Sequence, residues 1–276
     1  MDLYTKTSYE LSKKLTLNYS TSFSQSSKLF DTSIRNDIFA IYGFVRIADE
    51  IVDTYTGSNK ANLLTQLEKE AYAAIEAGYS SNPVVHAFAI TAQKYDITKA
   101  LIEPFFESMR MDLRPVKYTQ ATYETYIYGS AEVVGLMCLK VFCTDNKPLY
   151  KRLRSEAQAL GAAYQKVNFL RDFADDFKVN KRIYFPGITF GTFGEIDKVA
   201  IIKDIKKDFK KAKPALTTLP QTARAAVGLS YSYYNELLKK LEVTPAETIK
   251  TTRIRISDIT KARLLVAAKI NQKASR

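Results

Sequence analysis

Apolar residues recur at steps of three and four along almost the whole chain, and that spacing limits the fold more than any other feature. The pattern runs through 3–17, 35–52, 61–77, 83–93, 100–113, 123–142, 149–177, 199–212, 222–241 and 256–270. Steps of three and four put side chains on one face of an α-helix, whereas a half-buried strand needs two-residue alternation, which no segment shows convincingly. The punctuation agrees: Asn82-Pro83, Arg114-Pro115, Lys147-Pro148 and Tyr184-Phe185-Pro186-Gly187 stand at the segment ends, where proline removes an amide donor and restricts the residue before it. The expected fold class is all-α. With 10 Gly, 8 Pro and no Ser/Gly/Pro-rich linker, a single domain is expected over residues 1–276. No period of 20 to 50 residues suggests a helical repeat array.

One of these segments carries an anomaly. Asn168, Asp172 and Asp176 lie four apart within EAQALGAAYQKVNFLRDFADDF, so on a helix each is offset from the last by only about 40°. They form a polar stripe on an otherwise apolar element. Like charges so placed repel, and desolvating them costs more still unless a cation is present. A second acidic group occurs in IYGFVRIADEIVDTY, where Asp49 and Asp53 share a helix face and Glu50 stands beside them. Two such groups, far apart in sequence, can face each other across a helical bundle, as core metal sites require.

Oxygen ligands without His or Cys select a hard cation, and Mg²⁺ takes a few carboxylates together with water and substrate phosphate; Mn²⁺ is a second hard ion that fits. The single histidine, His86, lies far from both groups in PVVHAFAI and is read as structural. The E-x-x-H pairs of a di-iron carboxylate site are missing. Arg46, Arg171 and Arg182 adjoin the acidic stretches, where guanidinium can grip phosphate oxygens. Neither GxxxxGK[ST] nor GxGxxG occurs, so nucleotide hydrolysis and a dinucleotide cofactor have no motif to stand on. The remaining chemistry uses Mg²⁺ to draw a diphosphate off carbon, leaving an allylic cation that an apolar, aromatic-lined cavity must keep from water.

Forty-one Lys and Arg against 29 Asp and Glu give a net charge of +12, which favours anionic surfaces or phosphorylated small molecules. Nucleic acid is disfavoured because no zinc-finger or RNP-like pattern accompanies the charge. Basic runs such as KDIKKDFKKAK and RIRISDITKAR read as solvated helix faces. Cys138 and Cys143 have neither disulfide-framework nor metal spacing and are expected to pack in a reducing compartment. With no signal-peptide order and no run of 18 apolar residues, the expected location is cytoplasmic, with peripheral association at a membrane surface.

The motifs YSTSFS (19–24), AIYGFVRIADEIVD (40–53) and QKVNFLRDFADDFKVNKRIYFP (165–186) resemble, in order and spacing, the squalene and phytoene synthase family, and within it the bacterial phytoene synthases. The resemblance covers nearly the whole chain. It implies an isoprenoid synthase bundle around a central cavity, with Mg²⁺ held by Asp49 and Asp53 on one wall, Glu50 assisting, and by Asn168, Asp172 and Asp176 on the other. Ser20, Ser22, Arg46, Gln165, Arg171 and Arg182 match positions that face diphosphate or orient carboxylates; Phe23, Tyr42, Tyr126 and Tyr234 match aromatic positions around the cavity. Tyr126 is expected to act with the four aspartates in catalysis. One departure is YIYGSAEVVG, which puts Ser130 and Glu132 where the family has small residues; Glu132 is expected to face away from the cavity.

The activity so implied is head-to-head joining of two geranylgeranyl diphosphates to phytoene, without NADPH. Dehydrosqualene or squalene synthesis from farnesyl diphosphate is the nearest alternative. Squalene formation needs NADPH, for which the chain shows no motif, and the C-terminal membrane helix of eukaryotic squalene synthases is not expected here. A non-catalytic assembly subunit of the same fold is an alternative of another kind, disfavoured because both acidic groups are intact.

Overall fold

In the computed structural model all residues are described except 20, 115, 116, 145, 181, 275 and 276, together with the side chains at 21, 179, 180, 273 and 274. Among the described residues there is no strand, and the all-α expectation holds. The first half contains α1 (Leu3–Tyr19), α2 (Thr21–Ser27), α3 (Thr32–Asp49), α4 (Lys60–Ala77), α5 (Pro83–Lys94), α6 (Lys99–Met111), α7 (Gln120–Ile127) and α8 (Val133–Cys143). The second contains α9 (Lys147–Arg171), α10 (Phe173–Asn180), α11 (Glu195–Ala212), α12 (Ala215–Thr218), α13 (Gln221–Val243), α14 (Ala246–Ile249) and α15 (Asp258–Ala274).

Helix starts are set by local chemistry. The Asp31 side chain accepts from Ser33 N at the head of α3, Asn82 does the same for Val84 N ahead of Pro83, and Asn146 accepts from Leu149 N ahead of Pro148. Thr119 and Thr122 form a reciprocal capping box at α7. Gly78 ends α4 with φ of 70°, a left-handed conformation that glycine adopts without a Cβ clash.

α3 and α9 carry the two acidic groups singled out in the sequence at their C-terminal ends. α3 buries Ile38, Ile41 and Phe44, and the Phe44 ring stacks on Phe88 of α5 at 3.9 Å between centroids. α9 packs between α8 and α11, with Ala162, Ala163 and Val167 buried. Between α6 and the π turn at Tyr128–Glu132 the backbones come very close: a Cβ on Gly129 would clash with the Pro104 carbonyl oxygen. α7, the π turn after it and α8 form one unbroken stretch, Gln120–Cys143, apolar enough in composition to span a membrane. Here it is a core element, packed against α3, α6 and α9.

Sequence periodicity missed three local features. The chain inserts π turns at Glu50–Thr54 and Tyr128–Glu132, each of which shifts the helical register of the residues after it, and such insertions concentrate at functional sites. The segment 149–177 is not one helix: α9 ends at Arg171, Asp172 is its cap with an irregular backbone, and α10 begins at Phe173. Finally, α2, α12 and α14 are short, and a sequence such as TSFSQSS carries no apolar period.

Candidate active site

A cavity of about 850 Å³ runs between α2, α3, α8, α9 and α13. One end is acidic: Asp49 closes α3, Asp53 lies in the π turn after it, Asp172 caps α9, and Asp176 lies in α10. The rest is mostly apolar, with Leu139, Phe142, Leu153, Leu216 and Leu219 among the lining side chains. Of the residues singled out in the sequence, Ser22, Phe23, Tyr42, Arg46, Asp49, Asp53, Tyr126, Gln165, Asn168, Arg171, Asp172, Asp176 and Tyr234 all line this cavity. Ser20 lies outside the described residues. Arg182 stands at the acidic end through its partners, with Nη1 at 2.9 Å from Asp53 Oδ1 and 3.3 Å from Asp112 Oδ1. Glu50 is held by the Arg46 guanidinium.

The break at Asp172 changes the expected stripe. Asn168, Asp172 and Asp176 are not successive turns of one straight helix, yet they reach the same cavity end, because α10 starts directly after the cap. On α9 the lining residues Leu153, Glu156, Ala157, Leu160, Gly161, Tyr164, Gln165 and Asn168 keep to steps of three and four, so one helix face runs from the apolar end to the acidic one. Tyr234 OH donates to Asn168 Oδ1 at 3.2 Å, and its ring stacks on Tyr164 at 3.9 Å. Phe23 and Tyr42 lie 3.8 Å apart across α2 and α3.

Electrostatics set this end apart. Burial pushes the Asp49 carboxyl up to about 7; Arg46 opposes the shift, and repulsion from Asp53 and Asp112 adds to it. Asp176 is likewise pushed up to about 7 by burial and then by Asp172 and Asp53. Too many carboxylates share too little water. Arginines partly compensate: Arg171 Nε donates to Asp172 Oδ1 at 2.9 Å, and Arg253 Nε lies 2.8 Å from the same oxygen. Arg46 Nε is buried and, among the described residues, donates to nothing; it is a donor free to meet an anion.

With the arginines engaged in this way, no three acidic side chains among the described residues converge in ligating geometry. The donor set nonetheless suits a hard divalent cation. It offers oxygen atoms only, drawn from both walls, and burial together with mutual repulsion has raised the proton affinity of Asp49 and Asp176, so a cation would relieve the strain that protons now relieve.

Several participants escaped sequence reasoning. Asp112, just beyond α6, is buried at this end, accepts from Tyr126 OH at 2.7 Å and from Tyr184 OH at 3.3 Å, and is pushed by burial to about 6 against the pull of Arg182. Standing alone in MRMDLRP, it has no acidic partner at helical spacing to mark it. Arg253, Arg255 and Lys261 line the cavity, so the run RIRISDITKAR is not simply a solvated face. Glu156 lines the apolar part. Glu132 faces away, as expected: its Oε2 accepts from Gln158 Nε2 at 2.9 Å, and it does not line the cavity, whereas Ser130 and Ala131 do. His86 is buried against Thr5, 2.9 Å from its Oγ1, in a structural role. Both cysteines are free and buried.

A helical bundle that encloses an apolar cavity with acidic groups on two walls has the build of a prenyltransferase of the isoprenoid synthase fold. The family model for squalene/phytoene synthase matches residues 16–194, and the chain belongs to that family. Its curated relatives include a 15-cis-phytoene synthase of Pantoea ananas, 27% identical over 81% of this chain and 79% of the relative. Another is a phytoene synthase of Arthrospira platensis, 28% identical over 85% and 84%. Among solved structures, a dehydrosqualene synthase in complex with ligand superposes with a TM-score of 0.81 at 20% identity, covering 98% of both chains. A squalene synthase from Alicyclobacillus acidocaldarius gives 0.77 at 19% identity, covering 91% of this chain and 98% of that one. The protein is an enzyme of the prenyltransferase type with the isoprenoid synthase fold.

The raised Asp49 and Asp176 values have a consequence for stability. A carboxyl whose folded pKa exceeds its unfolded one loses stabilisation as pH rises from the unfolded value through the folded one. In metal-free protein, Asp49→Asn and Asp176→Asn should therefore each raise Tm at pH 8 by about 2–4 °C, the size expected for about 1 kcal/mol in a chain this long. The gain should shrink at pH 5, where the wild-type groups are protonated. Differential scanning fluorimetry at both pH values checks this; equal or lower Tm at pH 8 would contradict it.

Proposed function

We propose that the enzyme joins two geranylgeranyl diphosphates head to head, through prephytoene diphosphate, to phytoene. The observation that carries this reading is the pairing of acidic groups on two walls with a largely apolar, aromatic-lined cavity running from them. Naming the substrate as geranylgeranyl diphosphate draws on the curated relatives, which are phytoene synthases.

Asp49 and Asp53 on one wall, and Asn168, Asp172 and Asp176 on the other, would hold Mg²⁺ or Mn²⁺. The bound cation supplies the positive charge that stabilises a departing diphosphate. Arg46, with its free Nε, and Arg171 are placed to take phosphate oxygens. Arg182 is fixed by Asp53 and Asp112, and Asp112 in turn fixes the hydroxyl of Tyr126, whose ring faces the cavity. Phe23, Tyr42, Tyr164 and Tyr234 offer π faces to an allylic cation and exclude water from it. Each of the two stages releases one diphosphate and one proton. Because the only histidine is buried away from the cavity, the released diphosphate is the base. No NADPH is required by this route.

A second reading, farnesyl diphosphate to dehydrosqualene, is favoured by one observation: Glu156 puts a carboxylate into the apolar part of the cavity, where a longer tail would lie. The assay that decides offers purified protein Mg²⁺ with farnesyl and geranylgeranyl diphosphates at equal concentration, with and without NADPH, and identifies the extracted hydrocarbon. Phytoene as main product, independent of NADPH, is expected; dehydrosqualene, or NADPH-dependent squalene, would overturn the reading. In the same assay Asp172→Ala should lose at least about a hundredfold in turnover, or a few kcal/mol of transition-state stabilisation, with its helical circular dichroism unchanged.

Cytoplasmic residence with peripheral membrane association is part of the proposal. Ile259, Val266 and Ile270 are exposed on the outer face of α15 beside Arg263 and Lys269, while its inner face packs on α13 and α2. An apolar stripe with basic neighbours suits an anionic lipid surface, and each well-placed cation contributes about 1 kcal/mol there. Sedimentation with phosphatidylglycerol vesicles should show binding that weakens as salt rises; no binding at low salt would contradict it.

A further inference from the structure

Glu156 is a cavity carboxylate to which the proposed reaction gives no task. It lies on the lining face of α9 with Leu153, Ala157 and Leu160. Its Oε2 is buried and, among the described residues, accepts no hydrogen bond. None of the described ion pairs uses it: Arg46, Arg171 and Arg253 are engaged by Asp49, Glu50 and Asp172, Lys261 by Asp258, and the exposed Arg255 by no carboxylate among the described ion pairs. The side chains contributed to the lining by α8, including Val134, Leu139 and Phe142, are apolar, as are Leu216 and Leu219. A carboxylate in such surroundings depends on water that shares the cavity with it. Hydrocarbon pressed against it removes that water and returns no hydrogen bond.

Its height in the cavity gives this a length scale. Glu156 precedes Asn168 by twelve residues on one helix, about 18 Å at the rise of an α-helix. An extended farnesyl tail measures about 14 Å and a geranylgeranyl tail about 19 Å, for staggered C–C bonds of ~1.5 Å. With the diphosphate at the level of Asn168 and Asp172, three isoprene units stop short of Glu156 and the fourth reaches it. We infer that Glu156 is a specificity-determining residue that penalises the fourth isoprene unit, restraining use of the longer tail relative to the shorter. The inference rests on the prenyl diphosphate reading of the site and holds whichever substrate the wild type prefers.

The test measures affinity, so it does not depend on turnover. Wild type, Glu156→Leu and Glu156→Gln are titrated calorimetrically, with Mg²⁺, against the unreactive thiolodiphosphates of farnesol and geranylgeraniol. In Glu156→Leu the ratio of geranylgeranyl to farnesyl affinity should rise at least about tenfold over wild type, the scale of one isoprene unit gaining apolar contact, with farnesyl affinity within about twofold. Glu156→Gln, of the same size but uncharged, should move the ratio the same way by less, and serves if the leucine variant fails to fold. An unchanged ratio, or equal gains for both tails, overturns this inference alone. Failure of both analogues to bind wild type overturns it together with the reading it rests on.

Discussion

Carboxylates gathered at one end of a central cavity, with too few cations to neutralise them, are the constraint on which the rest of this structure depends. Asp49, Asp53, Asp112, Asp172 and Asp176 come from three separate segments of chain. The arginines that answer them also tie the segments together. Arg182 joins the turn after α3 to the end of α6, and Arg253 joins the cap of α9 to the linker before α15. Partly buried ion pairs of this kind are weak sources of stability, because desolvation consumes most of the Coulomb gain. Their placement around one cavity end fits the proposed binding of a cation and a diphosphate there.

The apolar remainder of the cavity is built by the same helices. One face of α9 carries Asn168 and Gln165 at its end and Leu160, Ala157 and Leu153 behind them, so the polar and apolar parts of the cavity wall form a single stripe. α8 faces it with almost wholly buried aliphatic side chains. On the proposed reading, a diphosphate anchored at one end has its tail direction set by the helix, and Glu156, the polar residue among Leu153, Ala157 and Leu160 on that stripe, acts as a ruler.

Much of this was legible in the sequence, for physical reasons. Long amphipathic helices announce themselves by period, and all ten segments read from the spacing fall on helical chain in the structure, although 149–177 divides into α9 and α10 and a π turn interrupts 123–142. The two acidic groups stood out because carboxylates four apart on an apolar helix are costly without a purpose. Asp112 and Arg253 did not stand out, since each is a lone charged residue whose partners are distant in sequence and meet it only through the tertiary fold. The π turns and the cap at Asp172 were hidden too: a one-residue change of register leaves the apolar spacing nearly intact. Glu156, within KRLRSEAQ, reads as one more polar residue of a charged helix start until the opposite wall is seen.

The central claim is that both acidic walls act together on a metal-bound diphosphate. Calorimetric titration of inorganic diphosphate into wild type, Asp49→Ala and Asp172→Ala, each with and without Mg²⁺, tests it most directly. The account predicts Mg²⁺-dependent binding in wild type that falls at least about tenfold in either variant. Binding that ignores Mg²⁺, or that survives intact when either wall is altered, would contradict it.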